Sequence, residues 1–203
     1  MPDLDPKTGK PYEFPNHAFQ LWAHIGMLLY NYLITYQPFQ WVRLTHLRIW
    51  GAKIGKGSHI LRGTTVIDIH GLKIGKDCSI GFRCLLDGRG TTGKYKERTD
   101  GLTIGDHVIV ASDTHFLPGY HDMNSPDFAG IRARTYVDDY AWIATRCTIE
   151  GGVRIGRGAV VGNSTLVRKD VAPMDVVAGV PARVIGKREA ELNHETYWRP
   201  WFL

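Results

Sequence analysis

The sequence is short of cysteine, of long apolar runs and of charge of one sign, and each shortage narrows what the chain can be. Its three cysteines, Cys78, Cys84 and Cys147, are odd in number and none has C-x-x-C spacing. That argues against a disulfide framework or a cysteine metal ribbon and for reduced thiols in a cytoplasmic protein. The most apolar stretch, Leu21 to Tyr36, is too short to cross a bilayer and is interrupted by His24 and Asn31, so a packed or interfacial helix is expected there. The first residues, MPDLDPKTGKPYEFPNH, are polar and Pro-rich, unlike a secretory leader. Net charge is only +5. With no nucleic-acid-binding motif in the chain, this mild excess suits an anionic membrane face or a polyphosphate ligand, and no nucleic-acid partner is expected.

Glycine, by contrast, is abundant, with 23 in 203 residues where an average protein has about 7%. A six-residue period accounts for the excess. Its first positions are Ile54, Ile60, Val66; Ile74, Ile80, Leu86; Ile104, Val110, Phe116; Val137, Ile143, Ile149; and Ile155, Val161, Val167. Fourteen of these fifteen positions are aliphatic, the exception being Phe116. Small residues often follow, as at Gly55, Gly75, Gly81, Gly105, Ala111, Ala144, Gly156 and Gly162. The fifth position is also small and holds all three cysteines, which makes them core residues rather than nucleophiles or ligands. A strand rises about 3.3 Å per residue, so six residues make one short strand and a corner. Three such units close a triangular coil, which needs further coils to stack on.

Interruptions of the period mark insertions. Ile74 to Ile104 spans 30 residues, 12 beyond one coil, around Gly88 to Gly101; Ile104 to Val137 spans 33, 15 beyond one coil, after His121. Insertions in a solenoid become outer loops and often carry the site. The expected organisation is an N-terminal arm with a helix over residues 1–50, an all-β parallel helix of about five coils over 51–186, and a C-terminal helix and tail over 187–203. Both terminal segments cap the solenoid ends.

The repeat, together with YHDMNSPDF (120–128), AWIA (141–144) and VRKDVAPMDVVAGVPARVIG (167–186), resembles the hexapeptide-repeat acyltransferases over about residues 50–186. It is most similar to sugar and polysaccharide O-acetyltransferases of the colanic-acid, nodulation-factor and maltose/galactoside types. The arm leading into LRIWGAKIGKGSHI (47–60) resembles the colanic-acid branch in particular. The resemblance implies a left-handed coil, a homotrimer and an acetyl-CoA site in the groove between two subunits. It implies His121 as the catalytic base and Thr145, Asn163, Arg168, Lys169 and Arg183 as acetyl-CoA contacts, with Arg168, Lys169, Arg183, Lys187 and Arg188 forming a basic cluster for the phosphates. On the acceptor side Asp87 matches a family acidic position, while Arg83 stands near the acceptor where sugar acetyltransferases tend to carry Asn, and Ala144 where relatives often have Gly; Trp142, which follows the loop after His121, would wall the site or pack at the trimer interface.

Transfer of an acetyl group from a thioester to a hydroxyl needs a base for the hydroxyl proton and donors for the developing oxyanion. Imidazole suits the first role. His115 is the runner-up to His121, one hexapeptide earlier. Asp122, Glu150 or a backbone carbonyl would orient the ring. Acetyl-CoA is the expected co-substrate, with no metal. The expected partner is a sugar, polysaccharide precursor or glycolipid acceptor, with the N-terminal arm either packed on its own trimer or lying against the cytoplasmic membrane face. An N-acyltransferase for an amino sugar or antibiotic, a zinc β-helix hydratase using His107, His115 and His121, and a non-enzymatic scaffold stay open as alternatives.

Overall fold

Each aliphatic first position of the hexapeptide turns inward in a strand of only two or three residues, which can bury one or two side chains and no more. In a computed structural model of the protein, which describes residues 17–90, 101–121 and 130–196 together with Met123, Asn124, Pro126 and Phe128, those strands stack into three parallel sheets. Face I contains Lys53–Ile54, Leu72–Ile74, Leu102–Ile104, Thr135–Val137 and Arg154–Ile155. Face II contains His59–Ile60, Ser79–Ile80, Ile109–Val110, Trp142–Ile143 and Val160–Val161, extended by Asp175–Ala178 and the antiparallel Arg183–Lys187. Face III contains Thr65–Ile67, Leu85–Asp87, His115–Leu117, Thr148–Glu150 and Leu166–Val167. The chain visits the faces in the order I, II, III and then begins again, which is a parallel β-helix. The period sets the register: Ile54 pairs with Ile74, Ile74 with Ile104, and Val137 with both Ile104 and Ile155. Phe116 occupies an aliphatic slot and is fully buried like its neighbours Leu86 and Ile149.

The small second position answers to the next coil rather than to its own turn. A Cβ on Gly81 would sit 2.4 Å from the Ser112 nitrogen, and one on Gly75 would sit 2.5 Å from the Gly105 oxygen. The fourth position turns the corner. Asp77, Arg83, His107, Asp113, Tyr140, Arg146 and Ser164 all lie there with φ between 52° and 61°, a left-handed conformation that is uncommon outside glycine. The fifth position links coils. Ser58, Thr64 and Thr114 hydroxyls donate to the Gly75, Gly81 and Ala144 carbonyls at 2.6, 3.0 and 3.0 Å. The Cys78 and Cys147 thiols donate to Gly105 and Gly162 in the same way. All three cysteines are free and buried.

The N-terminal cap comprises two helices, α1 (His17–Tyr32) and α2 (Gln40–Ile49), where one was expected. They close the open end by meeting the first coil's backbone on every face. The Asn31 side chain donates to the Val66 carbonyl and accepts from the Val66 N–H, both at 2.9 Å. The fully buried Arg43 donates to the Ile60 carbonyl, and Arg48 donates to the Ile54 carbonyl. Gly26 lets the Trp50 ring, stacked on Trp22, lie directly on α1.

Three expectations need correction. A short turn, Ile69–Gly71, adds two residues between Val66 and Ile74 that the period had passed over. The second insertion begins before His121, as a projecting antiparallel hairpin of Gly119–His121 and Gly130–Arg132. The helix expected over residues 187–203 is absent from 188–196. That segment runs back along the corner between faces I and II, because its donors find carbonyls and a carboxylate there rather than in a helical turn. Arg188 donates to the Tyr140 carbonyl, and the Thr196 N–H and hydroxyl donate to the Asp77 carboxylate and carbonyl. Residues 91–100 of the first insertion, and the tail from 197 on, lie outside the described residues.

Two outcomes follow from this packing. Gly81→Val should cost about 1–3 kcal/mol by overpacking, read as a lower urea midpoint, while Gly186→Ala, with nothing within 4 Å of its Cβ, should stay within about 0.5 kcal/mol of the parent. Burial pushes the Cys78 and Cys84 thiols up to about 11, and raises Cys147 as well. A thiol reagent at pH 8 should therefore leave the native protein untouched and titrate three thiols after denaturation; reaction of a native thiol at the rate of the unfolded chain would contradict the buried ladder.

Candidate functional site

The triangular section distributes the candidate residues along its edges. His121 projects from the edge between faces III and I, on the hairpin, directly paired with Gly130. Its Nδ1 lies 2.8 Å from the Phe128 carbonyl oxygen, and its ring stacks on Phe128 with centroids 4.5 Å apart and planes 9° from parallel. A carbonyl can only accept, so Nδ1 carries the proton in the neutral ring and Nε2 keeps its lone pair. A backbone carbonyl therefore orients His121. Glu150 is engaged elsewhere, accepting from Arg168 at 3.0 Å, and Asp122 lies outside the described residues.

Asp87 ends its strand on face III one coil before the hairpin. It is buried, and its carboxylate is held by the Arg89 guanidinium and backbone N–H. Arg168 and Lys169 follow Leu166–Val167 on the same edge as His121. The remaining candidates lie across face III. Thr145 and Asn163 occupy equivalent corner positions of successive coils between faces II and III, where the Asn163 side-chain Oδ1 accepts the Thr145 backbone N–H at 3.1 Å. Arg83 sits on that corner too, its guanidinium donating twice to Asp113 at 2.9 Å. This hydrogen bond holds the Asp113 carboxyl below the usual carboxylate range, so the positive charge on Arg83 is already answered within the chain. Trp142 stands half-exposed on face II between Ile109 and Val160, and Arg183 opens the antiparallel edge strand of that face.

The basic cluster read from the sequence is divided. Lys187 pairs with Asp175, and Arg188 is used at the corner by Tyr140 and Gly158. His107, His115 and His121 do not converge. His107 bonds Asp77 at 3.0 Å between faces I and II, His115 points outward from face III, and His121 is on the hairpin. An open groove of about 620 Å³, lined by Arg48, Lys53, Lys73 and Thr103 among others, lies on the first coils of face I, away from the hairpin. The hairpin and the corner-to-corner C-terminal segment were not legible in the sequence; the only signal for the former was the length between Ile104 and Val137.

A coil of this kind has known counterparts. A protein of Escherichia coli K12 named for colanic acid biosynthesis acetyltransferase, WcaF, is 31% identical over 150 residues, covering 74% of this chain and 76% of its own length. The chain belongs to the hexapeptide-repeat acetyltransferases. A chloramphenicol acetyltransferase of Klebsiella aerogenes is 29% identical over 133 residues, and this hexapeptide-repeat chain spans 63% of that relative's length. Among solved structures, a hexapeptide-repeat acetyltransferase of Vibrio cholerae in complex with acetyl coenzyme A superposes with a TM-score of 0.62 at 23% identity, covering 90% of this chain and 95% of the other. No family model matches the chain.

The tautomer is directly testable. Long-range ¹H–¹⁵N correlation spectra of the neutral ring should show His121 protonated at Nδ1 and bare at Nε2; the opposite assignment would remove the Phe128 carbonyl as its anchor.

Proposed function

We propose that this chain is an acetyl-CoA-dependent O-acetyltransferase built on a left-handed coil. It acts as a cytoplasmic homotrimer on a hydroxyl of a sugar, polysaccharide precursor or glycolipid. The observation that carries this reading is His121 itself, a ring whose Nδ1 is committed to the Phe128 carbonyl and whose Nε2 is left as a base on an exposed hairpin. In the proposed reaction, Nε2 takes the acceptor hydroxyl proton as the oxygen attacks the thioester carbonyl. The tetrahedral adduct then collapses with loss of the coenzyme A thiolate, and the imidazolium returns the proton to that sulfur. Both substrates bind together and no acyl-enzyme is needed.

The division of the candidates between two edges supports the trimer. His121, Asp87, Arg168 and Lys169 lie on one edge, Arg83, Thr145 and Asn163 on the other, with face III between them. A groove between neighbouring subunits would bring one subunit's first edge against its neighbour's second. The hairpin's exposed Tyr120, Met123 and Phe128 are the surface such a neighbour would cover. In that groove Thr145, Asn163, Arg183 and the exposed Arg168 and Lys169 would hold acetyl-CoA, the cations facing its phosphates. Trp142, Arg83 and the Asp87–Arg89 pair would border the acceptor.

An acceptor screen with acetyl-CoA, read as free thiol release and including sugars, amino sugars and chloramphenicol, tests the reaction and separates O- from N-acyl transfer. His121→Ala should lower turnover at least about 100-fold while acetyl-CoA affinity, by calorimetry, stays within a few-fold. Near-full turnover in that variant would overturn the base assignment. Light scattering should give a trimer, and an active monomer would overturn the shared groove.

A further inference from the structure

The helix α1 carries apolar residues on both its inner and its outer side, with Gln20 and His24 also exposed. Its inner side carries Gly26 and Tyr30, buried against the coil. Its outer side carries Leu21, Ile25, Leu28, Leu29 and Tyr32, spaced i, i+4, i+7, i+8 and i+11 as one stripe, and all remain exposed, Tyr32 at 73%. Tyr36 and Trp41 continue this surface beyond the helix, at 62% and 68% exposure. Scattered exposed apolar residues are ordinary, but several exposed large apolar side chains on one side of a helix mark a binding surface.

Along the chain, the charged residues of the cap and first coil are of one sign up to Asp68. Residues 17–42 contain no Asp, Glu, Lys or Arg, and residues 17–67 contain no Asp or Glu at all. Within that span Arg43 is spent inside the cap, while Arg48, Lys53, Lys56 and Arg62 are exposed on α2 and the first coil beneath it. We infer that this cap is a docking surface for an anionic lipid bilayer. The α1 stripe lies in the interface, Tyr36 and Trp41 sit at headgroup depth, and the four cations face anionic headgroups. The cap lies on the bilayer surface, and no described helix is long and apolar enough to span it. The cationic residues disfavour a two-fold contact between caps, because two such caps brought together would meet with like charges, and the oligomer measured by light scattering distinguishes a contact with another surface of the trimer. The inference stands on this surface alone and not on the acyl-transfer reading.

The test is co-sedimentation of the full chain with vesicles of phosphatidylcholine alone or with added phosphatidylglycerol, at low and high salt. Binding should appear with phosphatidylglycerol at low salt and weaken at least tenfold without it or in high salt. Lys53→Glu/Lys56→Glu/Arg62→Glu, confined to exposed side chains, should weaken it by a similar factor, and Leu28→Ser/Tyr32→Ser should weaken it with the oligomer unchanged by light scattering. Circular dichroism checks that each variant folds, and the charge variant decides the matter if the stripe variant does not. Protein that stays in the supernatant with anionic vesicles at low salt, or a charge variant that binds like the parent, would overturn the inference. So would a stripe variant whose oligomer dissociates while its vesicle binding is unchanged, which would make the stripe a contact between copies.

Discussion

Backbone hydrogen bonding between coils is the constraint on which everything else in this protein depends. Strands of two or three residues cannot stand alone, and each is stabilised only by the equivalent strand one turn earlier and one turn later. This is why the second hexapeptide position must be small. The carbonyls and amides of Gly75 and Gly105, or of Gly81 and Ser112, approach closely enough that an added Cβ would meet backbone. It is also why the fifth position is Ser, Thr or Cys so often. Those side chains are short enough to fit inside the prism and still donate to the next coil, as Thr114 does to Ala144 and Cys147 to Gly162.

The same constraint explains the ends. A stack of parallel strands leaves an edge of unpaired groups at its first turn, and the N-terminal helices cover that edge with side chains chosen for it. Asn31 meets Val66 with both its donor and its acceptor, Thr35 donates to Thr64, and Arg43 is fully buried because the Ile60 and Gln37 carbonyls take up its guanidinium. At the far end the antiparallel return of Arg183–Lys187 pairs with Asp175–Ala178 and closes face II. A cap built this way has to turn its polar groups inward toward the coil, and α1 accordingly leaves Leu21, Ile25 and Leu28 to the outside.

A rigid prism also dictates how chemistry can be placed on it. Side chains on its flat faces are fixed by the stack, whereas a residue carried away from the coil comes from a corner or from an insertion. His121 takes the second route. Its hairpin lifts the ring off the coil and supplies, from Phe128, both the carbonyl that fixes the tautomer and the aromatic plane that fixes the orientation. Neither acidic candidate is needed for this, and Glu150 is instead paired with Arg168.

The sequence by itself determined the coil. The stack of Ile54, Ile74, Ile104, Val137 and Ile155, the crowded glycines, the buried cysteines and the existence of both insertions are consequences of a six-residue period, and a period is a local property that can be read along the chain. The left-handed fourth position was equally periodic, at Asp77, Arg83, His107 and Asp113, but its residue types are too varied to announce it. Only the tertiary structure decided what does not repeat. The anchoring of His121 by Phe128, the capture of Arg83 by Asp113 and of Asp87 by Arg89, the second cap helix and the path of residues 188–196 to Asp77 each depend on which donor lies beside which acceptor after folding. For the last of these the partners are 119 residues apart, and neighbours along the chain carry no trace of a contact made across that distance.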